Sequence, residues 1–224
     1  MVSVLALACS SGGGDQPAGQ ATQEPVAIIQ AAATSSLLTL ADFPADWHSQ
    51  PHDNTKLGLT GECALLDADD LPGQVAGADS DRFIAPDDRE SGSQTAVFPN
   101  EDAATKTLDD YFKAVADCSA ELTAAYEKLF RDSAQQDGVD PSLVEVHFSL
   151  KDISLPDWGD ASTGYRLAGT FSVKGVSKQM NVDIAVIRQG QTLGSYYYAN
   201  TAELDMAEET HIGEIVASRL RALR

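Results

Sequence analysis

The sequence predicts an α+β domain in which an antiparallel β-sheet meander is covered by a long central helix and a C-terminal helix. Three observations predict it. Apolar residues between positions 100 and 130 recur at steps of three and four, the period of an amphipathic helix. From Val144 onward, apolar and polar residues alternate in short segments joined by turns, as in antiparallel strands. The last residues return to the helical period, and helices must cover at least one face of such a sheet.

Short elements are predicted in the first half of the domain. Ser35 or Ser36 can cap a short helix over residues 37–40. Pro44 ends this helix, because the residue before a proline disfavours the helical conformation. The other short elements are an apolar element at 61–66, a turn at 67–73, and strands at 82–84 and 95–98.

The central helix has the clearest pattern. Asn100 can cap it, and Glu101 and Asp102 lie at its positive end. A break near Ser119 would divide it into two helices. One continuous apolar stripe is formed by Ala104, Leu108, Tyr111, Phe112, Val115, Cys118, Leu122, Tyr126, Leu129 and Phe130.

Strands and a final helix are predicted after the central helix. The strands cover residues 144–150, 165–173, 180–186 and 192–199. Short links at 174–175 and 189–190 imply an antiparallel meander. The C-terminal helix presents one apolar side, formed by Ile212, Ile215, Val216, Leu220 and Leu223.

The overall charge is strongly negative. The chain of 224 residues carries 15 Lys and Arg against 34 Asp and Glu, a formal net charge of -19. Such a surface repels phosphate backbones, so we predict no nucleic-acid partner.

The amino terminus resembles a lipoprotein signal. The apolar residues 2–8 end in small side chains, and Cys9 follows at once, before a Ser- and Gly-rich segment. In such signals the Cys receives diacylglycerol, and acyl chains hold the protein on a membrane. Neither Lys nor Arg precedes Cys9, so we infer that the true start lies upstream. The alternative is a cytoplasmic protein with an apolar first turn.

Three parts of the chain are predicted from this terminus. Residues 1–9 are the remnant of the signal, with a lipidated Cys9. Residues 10–33 contain few large apolar residues and cannot offset their chain entropy by burial, which predicts a flexible tether. Residues 34–224 form a single α+β domain.

The cysteines predict one disulfide. If Cys9 carries lipid, Cys63 and Cys118 remain, an even number in an oxidising compartment. The alternative is a pair of buried thiols, because Cys118 lies on the apolar stripe of the central helix.

Motifs of catalysis and metal binding are weak. His48 and His52 lie close together, but Pro51 argues against the regular helix that would make them converge on a metal. The sequence contains no Gly-x-Ser-x-Gly, His-Glu-x-x-His or phosphate loop. We therefore predict no catalytic residue, no metal and no cofactor.

Aromatic residues are the candidates for ligand contact. Tyr196 and Tyr198 share one face of the predicted strand, and Tyr197 points to the other. Trp158 precedes a turn that would lie near the edge of the sheet. These three residues, Tyr196, Tyr198 and Trp158, would bind rings or acyl segments if their face is open. The alternative is that they fill the core under the last helix.

Five short blocks resemble one family. They are residues 40–47 (LADFPADW), 97–99 (VFP) with the following helix, 155–160 (LPDWGD) with 164–166 (GYR), 187–191 (IRQGQ) and 218–220 (SRL). They are similar to uncharacterised lipoproteins of actinobacteria and related bacteria, and to the extracellular sensor domains of some bacterial Ser/Thr kinases. Asp46 stands where the first block of this family has Gly. The resemblance implies a fold and an extracytoplasmic location, and it implies no binding residue.

These features predict a membrane-anchored, extracytoplasmic lipoprotein that acts as a non-catalytic ligand-binding or sensor module. Its partners would be the membrane, reached through the lipid anchor, and an unidentified small molecule or envelope component. Two alternatives stay open: a cell-envelope hydrolase with an unrecognised site, and a periplasmic lipid carrier, which needs a deep apolar cavity. The ligand and the oligomeric state are not predicted.

Overall fold

An eight-stranded antiparallel β-sheet forms the centre of the part of the chain that the structure, a computed structural model, describes: residues 23–52, 55–136, 138–173, 175–201 and 205–223. The strands are β1 (His48–Gln50), β2 (Ala76–Asp79), β3 (Arg82–Ile84), β4 (Glu90–Val97), β5 (Val144–Ile153), β6 (Ala161–Val173), β7 (Val176–Gln189) and β8 (Thr192–Asn200). Their order across the sheet is β1-β3-β4-β8-β7-β6-β5, with β2 beside the second half of β4. The predicted fold class is confirmed.

The second half of the chain forms the predicted meander. β5 pairs with β6, β6 with β7 and β7 with β8, so each strand pairs with its successor. Gly175 and Gly190 stand at the two tight turns with φ of 81° and 57°. These turns need positive φ, which glycine adopts without steric cost.

β4 is longer than the apolar pattern predicts. Its polar residues 90–94 lie outside the predicted strand at 95–98, yet they pair with β8. Ser91 and Ser93 are buried, but the Ser91 hydroxyl donates to the Tyr197 carbonyl at 2.7 Å and Ser93 Oγ accepts the Leu38 N–H at 2.9 Å. These hydrogen bonds offset the cost of burying the two polar side chains. The periodicity of apolar residues could not predict this part of the strand, because its buried residues are polar.

Four helices lie against the sheet in the described residues. They are α1 (Gln23–Ser35), α2 (Glu101–Asp117), α3 (Ser119–Gln136) and α4 (Met206–Arg221). The predicted central helix is present as α2 and α3, which meet at Cys118. The Asn100 side chain caps α2 by accepting the Ala103 N–H at 2.9 Å. None of the helices in the described ranges combines the length and the hydropathy that crossing a bilayer requires.

Helix α1 overlaps the predicted tether. Ala33 is fully buried against Ala76 and Val97, and Gln30 donates to the Gly77 carbonyl at 2.6 Å. The expectation of a tether is therefore wrong for residues 23–33, because small apolar residues of α1 gain burial on β2 and β4. Residues 1–22, including Cys9, lie outside the described residues.

The alternation of side chains along β8 defines two faces of the sheet. Leu193 packs with Leu108 of α2 on one face, which we call the cleft face. Gly194, Tyr196 and Tyr198 lie on the other face, where Tyr196 and Tyr198 pack with the apolar side of α4. We call this the α4 face. Each residue of β8 thus belongs to one of two different environments.

Candidate functional site

A cleft of about 340 Å³ opens on the cleft face of the sheet. Its floor is formed by β4, β7 and β8, and one wall by α2 and α3. The opposite wall is residues 55–69, which we call the strap. The residues that line it and enter the argument below are Lys56, Asp67, Asp69, Asp79, Gly92, Gln94, Tyr111, Tyr126, Ser195 and Tyr197.

The floor has room at Ser195, whose side chain is small. At Gly92 a neighbouring ring takes the space that a side chain would fill. A methyl group built on Gly92 would lie 2.7 Å from Cε1 of Tyr197, so the Tyr197 ring lies across this glycine. The Tyr197 hydroxyl donates to Oε1 of Glu90 at 2.6 Å, which holds the ring in place.

A single carboxylate organises the strap. Asp67 accepts the backbone N–H groups of Leu57 at 2.7 Å, Gly58 at 2.8 Å and Leu59 at 3.2 Å. Lys56 Nζ donates to the Asp67 carbonyl at 2.7 Å and forms an ion pair with Asp69. These bonds fold the first residues of the strap back onto the end of its 3-10 helix, Gly61–Asp67, since charge-assisted hydrogen bonds to backbone N–H groups are strong.

A disulfide fixes the strap to the helices. Cys63, in a short 3-10 helix of the strap, is bonded to Cys118 at the junction of α2 and α3, with Cα atoms 5.8 Å apart. The disulfide predicted from the number of cysteines is therefore present in the structure.

Tyrosines line the helical wall. The hydroxyls of Tyr111 and Tyr165 lie 3.3 Å apart. The pKa of Tyr126 is raised mainly by burial and further by Tyr111 and Asp67. Burial also raises the pKa of Tyr111. The wall therefore presents neutral hydroxyl groups, which can both donate and accept hydrogen bonds.

The charge of the lining is negative. Three carboxylates (Asp67, Asp69 and Asp79) face one ammonium, that of Lys56. Burial raises the pKa of Asp79, His52 and Gln94 lower it, and Asp69 raises it further. In the described part of the chain, no three His, Cys, Asp or Glu side chains come together as a metal ion would need. Chemically, the cleft offers hydrogen bonds and attraction for positive charge.

The predicted ligand residues have their side chains on the α4 face, although Tyr196 is also among the residues that border the cleft. Tyr196 and Tyr198 share a face and Trp158 lies near them, with its ring centroid 6.1 Å from that of Tyr196. All three are buried beneath α4, and a methyl group on Gly213 of that helix would lie 2.3 Å from Cη2 of Trp158. The prediction that they form an open binding face is wrong, because strand period shows which residues share a face but not which face a helix covers.

The residues of the cleft were not recognised as a site in the sequence. Tyr111 and Tyr126 belong to the apolar stripe of the central helix, and Tyr197 was assigned to the face without a predicted site. Asp67 and Asp69 fall in the segment predicted as a turn, and their spacing resembles a calcium loop only weakly, because Leu71 occupies the next ligand position. The one available signal was the pair of tyrosines among aliphatic residues, since a hydroxyl on a buried stripe needs a polar partner.

Two further grooves are mainly apolar. One, of about 560 Å³, lies between α1 and α4 and is lined by Ile28, Ile29, Leu220 and Leu223 among others. The second, of about 300 Å³, lies between the end of α3 and the β6–β7 hairpin, beside Phe130 and Phe171. Lipid carriage stays a prediction that neither groove tests.

Solved structures include chains that are similar to this one. No family model and no curated protein matches the chain. The chain is similar to the crystal structure of the extracellular domain of PknH from Mycobacterium tuberculosis, at 8% identity and a TM-score of 0.48. The match covers 86% of this chain and 96% of that chain. At this similarity it assigns no role to any residue of the present chain.

Proposed function

We propose that the protein is a membrane-anchored, extracytoplasmic and non-catalytic binding module whose ligand occupies the cleft between the strap and the sheet. One observation carries the proposal: a cleft of about 340 Å³ whose strap is held by a disulfide and by the three N–H groups bound to Asp67. This volume lies in the range of small-molecule sites, which are roughly 300–1,000 Å³ and largely preformed.

Cysteine chemistry supports the proposed location. A disulfide between Cys63 and Cys118 persists in an oxidising compartment, which supports a place outside the cytoplasm. Cys9, in its signal-like context, supplies the proposed membrane anchor. Metabolic labelling with a fatty-acid probe tests the anchor when the gene is expressed with its upstream codons. Label should enter the wild type and be absent from Cys9→Ala, and equal labelling of the two would contradict anchoring through Cys9.

The chemistry of the cleft favours a ligand that carries an amine. Its carboxylates outnumber its ammonium groups, and its tyrosines add hydroxyl groups and ring surfaces that attract cations. We assign Asp79 as the counter-ion, because desolvation disfavours its charged form, the charges of Asp69 and Asp70 add to this effect, and a cationic ligand would offset both. An anionic ligand would meet repulsion both from the lining and from the whole surface.

The test is to fill the cleft and to measure binding of spermidine by isothermal titration calorimetry. Ser195→Phe places a ring over the floor, and Ser177→Phe places the same ring at an exposed position of β7, outside the cleft. We expect spermidine to bind the wild type and the Ser177→Phe variant, and at least tenfold more weakly to Ser195→Phe. Comparing the two variants removes non-specific attraction to an acidic protein.

Two outcomes would contradict parts of the proposal separately. Equal binding by Ser195→Phe and Ser177→Phe, both folded by circular dichroism, would mean that the cleft is not the site. If Ser195→Phe weakens spermidine binding but Asp79→Asn leaves it unchanged, the cleft is the site and Asp79 is not the counter-ion. Native mass spectrometry of protein released from its own membrane would then identify a retained ligand.

A further inference from the structure

Two carboxyl groups are buried together on the α4 face, behind the floor of the cleft. Asp183 of β7 has a fully buried side chain, and Glu209 of α4 is only 2% exposed. The guanidinium of Arg166, on β6, donates to both oxygens of Asp183, each at 2.6 Å. One positive charge thus faces two acids at the contact between α4 and the sheet.

The cluster leaves polar atoms without partners. Among the described residues, Oε2 of Glu209 and the hydroxyl of Tyr196 are buried without a hydrogen bond. The two acids and the hydroxyl come from three elements, namely α4, β7 and β8, and Arg166 adds a fourth. Glu208, which precedes Glu209 in α4, accepts hydrogen bonds from Arg89 and from the Tyr198 hydroxyl. Arg89 is thus paired with Glu208, and the cation that acts on Glu209 is Arg166.

Two ionised carboxylates in such a place would repel each other strongly. The pKa of Glu209 is raised to about 7. Burial is the largest cause, the neighbouring charge of Asp183 and a hydrogen bond with it also raise the pKa, and Arg166 lowers it. The arrangement in which Glu209 keeps its proton and shares it with Asp183 leaves a net neutral cluster with Arg166.

We propose that the Glu209–Asp183 carboxyl pair is a pH-sensitive latch that holds α4 against the sheet while it shares one proton and weakens when that proton is lost. The latch acts on the docking of α4 and does not depend on a ligand in the cleft. Its release would loosen the cover over Trp158, which packs against Gly213 of the same helix.

The direction of the pH effect follows from linkage. A carboxyl group whose pKa is higher in the folded chain binds its proton more tightly there than in the unfolded chain. Its stabilising contribution is fully present below the ordinary value of 4.5 and is lost as the pH rises through about 7. A carboxyl group whose pKa is lowered by folding has the opposite effect, because its stabilising contribution is lost as the pH falls. Asp87, hydrogen-bonded to Arg89, is an example.

The experiment compares thermal unfolding of the wild type with two variants of α4 between about pH 5 and pH 8. Glu209→Gln keeps the shape and a hydrogen-bond donor but cannot ionise, and Glu214→Gln is the matched change at an exposed position of the same helix. We expect the melting temperature of the wild type and of Glu214→Gln to fall by several degrees more than that of Glu209→Gln. His211, exposed on α4, is present in all three proteins and cancels in the comparison.

Hydrogen exchange of the wild type provides a second measurement that needs no variant. After correction for the intrinsic exchange rate, amides of α4 should lose protection between about pH 5 and pH 8, while those of the β6–β7 pair should not. Parallel melting curves for wild type and Glu209→Gln, or unchanged protection of α4, would overturn the latch.

Discussion

The two faces of β8 differ in what covers them, although the same short strand supplies both. Tyr196 and Tyr198 are sealed beneath the apolar side of α4, whereas Ser195 and Tyr197 line an open cleft. Aromatic residues on a strand therefore do not mark its binding face. The capacity to bind a ligand arises where the covering elements leave space, and here the space lies between the strap and the wall formed by α2 and α3.

The two faces also differ in the partners of their charged side chains. On the α4 face, carboxylates have Arg partners, as in the pairs Arg166–Asp183 and Arg219–Asp42, whose shortest distances are 2.6 and 2.7 Å. On the cleft face, Lys56 is paired with the exposed Asp69 of the strap, and Asp79 lies at the exposed end of β2 with His52 nearby. Charges of the α4 face thus belong to the fold, whereas those of the cleft face are available to a ligand.

The strongest test of this comparison is truncation of tyrosines on the two faces. Each of Tyr196→Ala and Tyr198→Ala should lower the free energy of unfolding by about 3–5 kcal/mol, because each leaves a cavity under α4. Tyr197→Ala, the same change on the other face, should lower it less and should abolish spermidine binding. Urea unfolding followed by circular dichroism measures the losses. Equal losses at all three positions would remove the distinction between the faces.

Removal of the disulfide should have the next largest effect. In the chain-entropy model, closing a loop of 55 residues stabilises the fold by about 4 kcal/mol, so Cys63→Ser with Cys118→Ser should lower the free energy of unfolding by that order. Spermidine binding should weaken as well, because the strap loses its tie to the helices. Mass spectrometry of unreduced peptides supplies the control. Free thiols at both positions in exported protein would contradict the disulfide itself.

The smallest effect is expected for the carboxylate that organises the strap. Asp67→Ala removes the acceptor of three backbone N–H groups and should lower stability by about 1–2 kcal/mol, as loss of a helix cap does. Binding of spermidine should fall more than stability, because the cleft loses a wall. Asp132→Ala, which removes an acid from the surface of α3 and breaks only its ion pair with Lys128, is the matched control. If both variants bind spermidine like the wild type, the strap does not shape the site.

Much of the fold could be predicted, and the cleft could not. The cap at Asn100, the break at Cys118 and the turns at Gly175 and Gly190 depend on residues close together in the chain, so local pattern reveals them. α1 and the polar half of β4 were missed for a different reason. Their stability comes from partners distant in the chain, such as Ala76 and Val97 for Ala33.

The sequence by itself determined the central and C-terminal helices, the strands of the meander and the members of each face of those strands. The alternation in β8 placed Tyr196 and Tyr198 together, and the number of cysteines predicted the Cys63–Cys118 bond. Only the tertiary structure decided which face α4 covers, where the strap lies, and that Asp183 and Glu209 meet although 26 positions separate them in the numbering. Periodicity is a property of neighbours in the chain, whereas burial, charge pairing and empty space depend on elements that the fold brings together.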